Sequence, residues 1–89
     1  MDYEKSAAFL KALGHPVRLK MAQGLITQYG CHVSKMVEKL GLPQSTISQH
    51  LAALRQAGVV TFEKKGVKAC YHLTDERIVS IIKILGEIL

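Results

Sequence analysis

The fold of this chain is decided by residues 33–58, which read VSKMVEKLGLPQSTISQHLAALRQAG. Ser34 is a good N-cap for a short amphipathic helix that runs to Leu40, and Gly41 then provides a tight turn. A second helix follows, with Pro43 near its first turn. Two helices joined in this way form a helix-turn-helix, whose second helix can enter the major groove of DNA.

The second helix of this stretch has two different sides. At about 100° per residue, one side is apolar; it consists of Ile47, Leu51, Leu54 and Gly58. The opposite side carries small and hydrogen-bonding residues and no Asp or Glu, which would repel phosphates. Ser and Gln side chains can hydrogen-bond base edges or phosphate oxygens. The DNA contacts predicted on this helix are Gln44, Ser45, Thr46, Ser48, Gln49 and Arg55.

A basic hairpin follows the second helix. Residues 59–62 and 67–73 are strand-like, and the tip between them is expected at residues 64–66. Because this wing adjoins the helix, we predict that its lysines contact phosphates or the minor groove rather than only forming a solvated tip. These lysines are Lys64, Lys65 and Lys68.

The N-terminal segments are helical. Asp2 is a plausible N-cap for a helix over residues 3–13, which Gly14 ends at the C′ position. Pro16 lies early in the next helix, which runs to about Gln28. With the hairpin, the expected fold is mainly α with a small β-hairpin: a winged helix-turn-helix of about five helices and a two-stranded wing. We expect a single domain over residues 1–89.

The last helix, which Thr74 or Asp75 caps, has an apolar stripe that is too wide for one small core to cover. Such a helix is typical of a dimer interface, although it could also pack wholly inside its own subunit. The central interface candidates are Ile81, Ile82 and Leu85, with Tyr3, Ala7 and Leu10 of the first helix alongside.

Composition narrows the function classes. The chain has 89 residues, a hydrophobic content of 48% and a formal net charge of +5, which favours a polyanionic partner. It has no apolar run of the ~18 residues that would span a membrane, and its N-terminus is no secretory signal. Two cysteines without a signal indicate thiols in a reducing cytoplasm. No nucleophile–base pair or phosphate loop is present, so we expect no enzyme activity.

In four segments the chain resembles the ArsR/SmtB family of repressors. They are LGHPVRLK (residues 13–20), LPQSTISQHL (42–51), LRQAGVV (54–60) and GVKACYHL (66–73). The resemblance covers nearly the whole chain. It implies a homodimer joined by the first and last helices, two recognition helices in successive major grooves, and repression that an inducer relieves. From the polar helix face and the basic wing we expect a dimer that binds an inverted-repeat operator in double-stranded DNA.

The resemblance does not supply a complete metal site, so no cofactor is assigned. Many family members bind metal through a Cys-x-Cys-like pair at the start of the third helix, where His32 and Ser34 stand here, with Cys31 one residue early. Others use Asp and His pairs on the last helices. Asp75 matches one such ligand, but Arg77 stands where a His is needed, and Arg is not a metal ligand.

The two cysteines form a separate candidate site. In a winged fold, the segment before the third helix often pairs with the last wing strand, which would bring residues 31–33 beside residues 70–72. Strand alternation assigns Ala69, Tyr71 and Leu73 to the core face, and Cys70 with His72 to the other.

Three roles for this cluster stay open. Cys31 and Cys70 can form a thiol redox switch if their Cα atoms lie within about 7 Å. Together with His32 and His72 they can contribute to a soft-metal site, which needs three or four ligands. They can also be two unrelated, partly buried cysteines.

Several further side chains are ambiguous in the sequence. His50 borders the apolar side of the second helix-turn-helix helix, where packing or capping is the expected role, and His15 gives no chemical signal. Arg18 and Lys20 are either surface charges, ion-pair partners or DNA contacts. The alternative function is a winged-helix protein-interaction module without DNA binding. That module would tolerate acidic residues on the exposed helix face, and here there are none.

Overall fold

The computed structural model describes residues 1–27, 30 and 32–88. Within them, the chain forms five helices and a two-stranded antiparallel sheet. The elements are α1 (Tyr3–Leu13), α2 (Pro16–Thr27), α3 (Val33–Leu40), α4 (Gln44–Gln56), β1 (Val60–Lys65), β2 (Lys68–Leu73) and α5 (Glu76–Ile88).

The bounds of α1 confirm the expected first helix. The Asp2 carboxylate accepts a hydrogen bond from the Lys5 N–H at 3.0 Å and so caps the helix. Gly14 does end α1, as its C-cap rather than at the expected C′ position, and its φ is −77°. Its N–H donates to the Leu10 carbonyl at 2.8 Å, which satisfies the last turn. The expected end of α2 near Gln28 lies outside the described residues.

The helix-turn-helix is confirmed, with one correction at its start. α3 begins at Val33 with His32 as its N-cap, so the expected cap at Ser34 is wrong. His32 is extended because it forms an antiparallel bridge with Cys70, and this bridge sets the point where the helix can begin. Gly41 ends α3 in the left-handed region, with φ 66°, as a tight turn before α4 requires.

The apolar side of α4 packs into the centre of the molecule. Ile47, Leu51 and Leu54 are at most 1% exposed. Gly58 is not part of this side, because α4 ends at Gln56 and Gly58 lies exposed beyond it with φ 82°. Burying each large aliphatic side chain stabilises the fold by roughly 1.5–3 kcal/mol. The core therefore fixes α4 from one side and leaves its other side in solvent.

The wing differs slightly from its expected bounds. Val60 pairs with Leu73 at its base and Lys65 pairs with Lys68 at its end, so the tip is Gly66-Val67 rather than residues 64–66. Gly66 takes φ 63°, as a two-residue hairpin loop requires. At the base, the Thr74 hydroxyl donates to the Gly58 carbonyl at 2.8 Å. The end of β2 is thereby fastened to the end of the helix-turn-helix.

α5 divides its apolar residues between the core and the surface. Ile78 and Ile82 are buried in the core, which corrects the expectation that Ile82 lies in a dimer interface. Ile81, Ile84 and Leu85 remain exposed, as do Tyr3 and Leu10 of α1. The Asp75 carboxylate accepts from the Arg77 N–H at 2.8 Å and caps α5, whereas the Thr74 side chain donates to the backbone of residues 58 and 59.

Candidate DNA-binding site

The outer side of α4 presents the polar residues that were predicted to contact DNA. Gln44, Ser45, Ser48 and Gln49 are all exposed, whereas Thr46 is half-buried. The exposed residues follow one another along the first two turns of the helix. This face can offer hydrogen-bond donors and acceptors to base edges without bringing a negative charge toward phosphates.

Arg55 connects this helix to the wing. Its guanidinium lies over the Phe62 ring, 5.3 Å from the ring centroid. Phe62 in turn packs against Tyr71 on the paired strand, with the two ring centroids 5.1 Å apart. A cation–π contact at an exposed site contributes about 0.5–1 kcal/mol, so the stack helps to set the angle between α4 and the wing.

A cleft of about 470 Å³ separates the C-terminal half of α4 from the wing. Its lining includes the Ser48, Arg55 and Tyr71 side chains, together with Ala52 and Gln56. Sequence reasoning assigned Tyr71 to the core face and missed it as a site residue. Tyr71 does pack partly against the core, but it also lines this cleft. Its pairing with Phe62 across the strands is the signal that could have found it.

The three lysines of the wing are all exposed near its tip. Lys65 and Lys68 stand directly opposite each other in the ladder, an arrangement of like charges that destabilises a hairpin. Alternation along β1 gives Lys64 the same face as Phe62, which is the face toward Arg55 of α4. Glu63 is on the other face. The basic end of the wing is therefore suited to an anion.

The cysteine cluster lies on the other side of the wing. The pairing of His32 with Cys70 confirms the expected contact between the segment before α3 and the last wing strand. Cys70 is 4% exposed and disulfide-bonded, so the expectation of a free thiol is wrong for this residue, while Cys31 lies outside the described residues. The Cys70 Sγ is 3.1 Å from the His72 Nε2, which is 3.9 Å from the Glu63 Oε2. His72 itself is exposed, as the alternation predicts, but Cys70 on the same face of the strand is buried, which the alternation did not predict.

The candidate metal ligands do not form a complete site in the part of the chain that is described. Residues 1–27, 30 and 32–88 contain no group of three or more His, Cys, Asp or Glu side chains arranged around one point. Asp75 is held by Arg77, whose Nε donates to its Oδ1 at 2.9 Å. The Arg77 side chain, and then its backbone N–H, hold the pKa of the Asp75 carboxyl well below its ordinary value.

A helix-turn-helix with an exposed polar second helix and a basic hairpin beside it defines a winged helix-turn-helix DNA-binding protein. The family described as "Bacterial regulatory protein, arsR family" matches residues 15–61. The chain belongs to this family. It is thus a transcriptional regulator and not an enzyme.

Individual relatives agree along nearly the whole chain. The uncharacterized HTH-type transcriptional regulator MJ1325 of Methanocaldococcus jannaschii is 40% identical, over 97% of this chain and 97% of its own. The transcriptional repressor PagR of Bacillus anthracis is 35% identical over 99% of this chain and 88% of its own.

Solved structures share the fold. The crystal structure of PagR superposes with a TM-score of 0.85 at 35% identity, covering 96% of this chain and 97% of that one. HlyU from Vibrio cholerae superposes with a TM-score of 0.85 at 29% identity, covering 99% of this chain and 97% of that one. Among the described residues, no helix is long and apolar enough to cross a membrane.

Proposed function

We propose that this protein is a homodimeric repressor that binds an inverted-repeat operator in double-stranded DNA and is released by an inducer. The observation that carries the proposal is the continuous surface formed by the outer side of α4, the cleft beside it and the basic end of the wing. The name of the relative PagR, a transcriptional repressor, supports the direction of regulation. Such a regulator acts in the cytoplasm, where bacterial and archaeal DNA is found.

In this proposal the two parts of the surface have different tasks. α4 enters the major groove, where Ser48 and Gln49 reach base edges and Gln44, Ser45 and Thr46 lie beside them. The adjoining cleft then receives a stretch of sugar–phosphate backbone, with Arg55 as its positive charge and the Tyr71 hydroxyl as a second donor. Lys64, Lys65 and Lys68 neutralise phosphates farther along or enter the minor groove.

The dimer is proposed from the apolar surface that α1 and α5 leave exposed. A depression of about 550 Å³ between these helices is lined mainly by apolar side chains, including Phe9, Leu10 and Ile81. Leu10 is 61% exposed and Leu85 37% exposed, and large apolar side chains grouped in this way favour association. A glutamate at position 85 would bury an unpaired charge in this interface. Sedimentation of Leu85→Glu should therefore show a monomer; a well-folded dimer would assign the interface elsewhere.

The DNA proposal is tested by fluorescence anisotropy with the DNA upstream of the protein's own gene. Wild type should bind this duplex far more tightly than a random duplex of equal length at moderate salt. A footprint should cover two half-sites about one helical turn apart. Equal affinity for the two duplexes would contradict the repressor proposal and favour the alternative, a winged-helix module that binds proteins.

For the inducer we propose thiol chemistry at Cys31 and Cys70, with a soft metal at the same cluster as the alternative. The disulfide-bonded state of Cys70 and the position of His72 beside its sulfur support this assignment. The disulfide at Cys70 fixes the wing strand in this structure, whereas reduction would free the wing to adjust relative to α4 on DNA. Wild type treated with an oxidant should therefore bind the operator more weakly than reduced wild type. The operator affinity of Cys70→Ser should be the same after oxidation and after reduction. Equal binding of both proteins under both conditions would make the cysteines packing residues.

A further inference from the structure

Three side chains from distant parts of the sequence meet at the edge of α4. The Arg18 Nε on α2 donates a hydrogen bond to the His50 Nδ1 on α4 at 3.2 Å, across 32 positions of sequence. The His15 ring packs against His50, with the ring centroids 4.8 Å apart. His15 is itself anchored, because its Nδ1 accepts from the Val17 N–H at 3.2 Å at the start of α2. Arg18, His15 and His50 are all half-buried.

The Arg18–His50 bond exists in only one protonation state of the histidine. A neutral imidazole has one nitrogen that accepts, whereas an imidazolium donates from both nitrogens and accepts from neither. Arg18 stays charged at every relevant pH and can only donate. Protonation of His50 therefore removes the acceptor and leaves two cations at hydrogen-bonding distance.

The position of His50 on α4 gives the bond a mechanical role. On the helical wheel His50 lies about 60° from Ile47, at the border between the buried side and the outer side. The core contacts form a single apolar seam, about which a helix can roll. A hydrogen bond at the border opposes this rolling. Gln49, the preceding residue, lies about 100° from His50 on the helical wheel, toward the outer side of α4. Its side chain would therefore point in a different direction if α4 rolled.

We propose that Arg18 and His50 form a latch that holds α4 in its DNA-reading orientation only while His50 is neutral. The inference rests on the proposed function, since it assumes that α4 reads an operator. Arg18 and His50 are positioning residues in this account: they act on DNA recognition through the setting of Gln49 and Ser48. An acidified cell interior would then loosen the protein from its operator.

The charged surroundings of His50 give the direction of the pH effect. α1, α2, α3 and β1 pack against α4, and among the described residues the charged groups that act on His50 are His15 and Arg18. Burial, then His15 and then Arg18 lower the pKa of His50 below its ordinary value. The latch is therefore complete above about pH 6.5, the ordinary pKa of histidine, and is lost as the pH falls through the lower pKa of the folded protein.

The decisive variant is His50→Asn. The Asn carbonyl oxygen can accept from the Arg18 Nε in place of the imidazole nitrogen but does not titrate in this range. Anisotropy titrations with operator and random duplex at pH 7.5 and pH 4.5, well below the ordinary pKa of histidine, give the ratio of the two affinities. In wild type this ratio should fall by about tenfold on acidification, since a hydrogen bond to a charged group is lost. In His50→Asn it should stay level, within about threefold of the wild-type value at pH 7.5.

Arg18→Ala should show the low ratio at both pH values, whereas Lys83→Ala, which removes an exposed cation from α5, should follow wild type. Circular dichroism at both pH values establishes that each variant is folded. Identical pH profiles for wild type and His50→Asn would overturn the latch.

Amide hydrogen exchange of the free protein separates this inference from the proposed function. After correction for intrinsic rates, α4 should exchange about tenfold faster at pH 4.5 than at pH 7.5 in wild type, and equally at the two pH values in His50→Asn. Equal protection of α4 in wild type at both pH values overturns the latch whatever DNA the protein binds. If wild type prefers no operator at any pH, the proposed function fails, and the exchange result alone decides whether the latch exists.

Discussion

The helix α4 and the wing are neighbours whose surfaces carry opposite kinds of chemistry. The outer face of α4 is uncharged along its first two turns, and its inner face lies in the middle of the core. The wing carries three exposed lysines on two strands, with a fully exposed tip. This difference indicates a division of labour between α4 and the wing, by which we mean that the two contribute different kinds of contact to DNA binding. A helix fixed by the core can hold side chains at base edges, whereas a solvated basic hairpin contributes attraction to phosphates that is independent of sequence.

The largest effect expected from this comparison is on stability. Leu54→Ala removes a fully buried side chain from the inner side of α4 and should lower the free energy of unfolding by about 2–5 kcal/mol. Val67→Ser at the wing tip, where the side chain is 98% exposed, should change it by less than about 0.5 kcal/mol. Urea unfolding followed by circular dichroism measures both. Similar losses of unfolding free energy in the two variants would contradict the view that the core fixes α4 while the wing tip is solvated.

The next effect concerns specificity. Gln49→Ala should weaken operator binding by about 1–3 kcal/mol if this side chain reads a base edge, and should leave random-duplex binding unchanged. Gln23→Ala, which removes an exposed glutamine from α2, serves as the matched control. An unchanged ratio of operator to random affinity in Gln49→Ala would exclude this residue from base readout.

A smaller effect is expected where the two regions touch. Arg55→Ala and Phe62→Leu each break the stack between α4 and the wing, which contributes about 0.5–1 kcal/mol. A double-mutant cycle on the free energy of unfolding should give a coupling of that size. Strict additivity of the two substitutions would show that the helix and the wing are set independently of this contact.

The sequence predicted those helix bounds and turns that are set by neighbouring residues. It did not predict bounds that depend on contacts between residues far apart in the chain. The bounds of α1 follow from Asp2 and from the residues within it, and the turn at Gly41 follows from a single glycine. The start of α3 does not, because the bridge between His32 and Cys70 joins residues far apart in the chain and overrides the local preference of Ser34 as a cap.

The residues of the candidate site also fall into those that a single element predicts and those that depend on packing between elements. The exposed face of α4 could be counted from helical periodicity alone. Tyr71 in the cleft depends on the angle between helix and wing, and the Arg18–His50 bond depends on the packing of α2 against α4. Neither relation is encoded by spacing within one element, so pattern analysis left His50 as a packing residue and Arg18 undecided.

The division of labour between α4 and the wing is tested most directly by the salt dependence of binding in two single variants. Operator and random-duplex affinities are measured from low to moderate salt for wild type, Gln49→Ala and Lys64→Ala, with Lys83→Ala on α5 as the control. Because each dimer loses two lysine–phosphate contacts, Lys64→Ala should reduce the slope of log affinity against log salt by about 1.8 on both duplexes and keep their affinity ratio. Gln49→Ala should lower the ratio and keep the slope. If Lys64→Ala and Gln49→Ala both changed the salt slope, or both changed the affinity ratio, the division of labour between α4 and the wing would be contradicted.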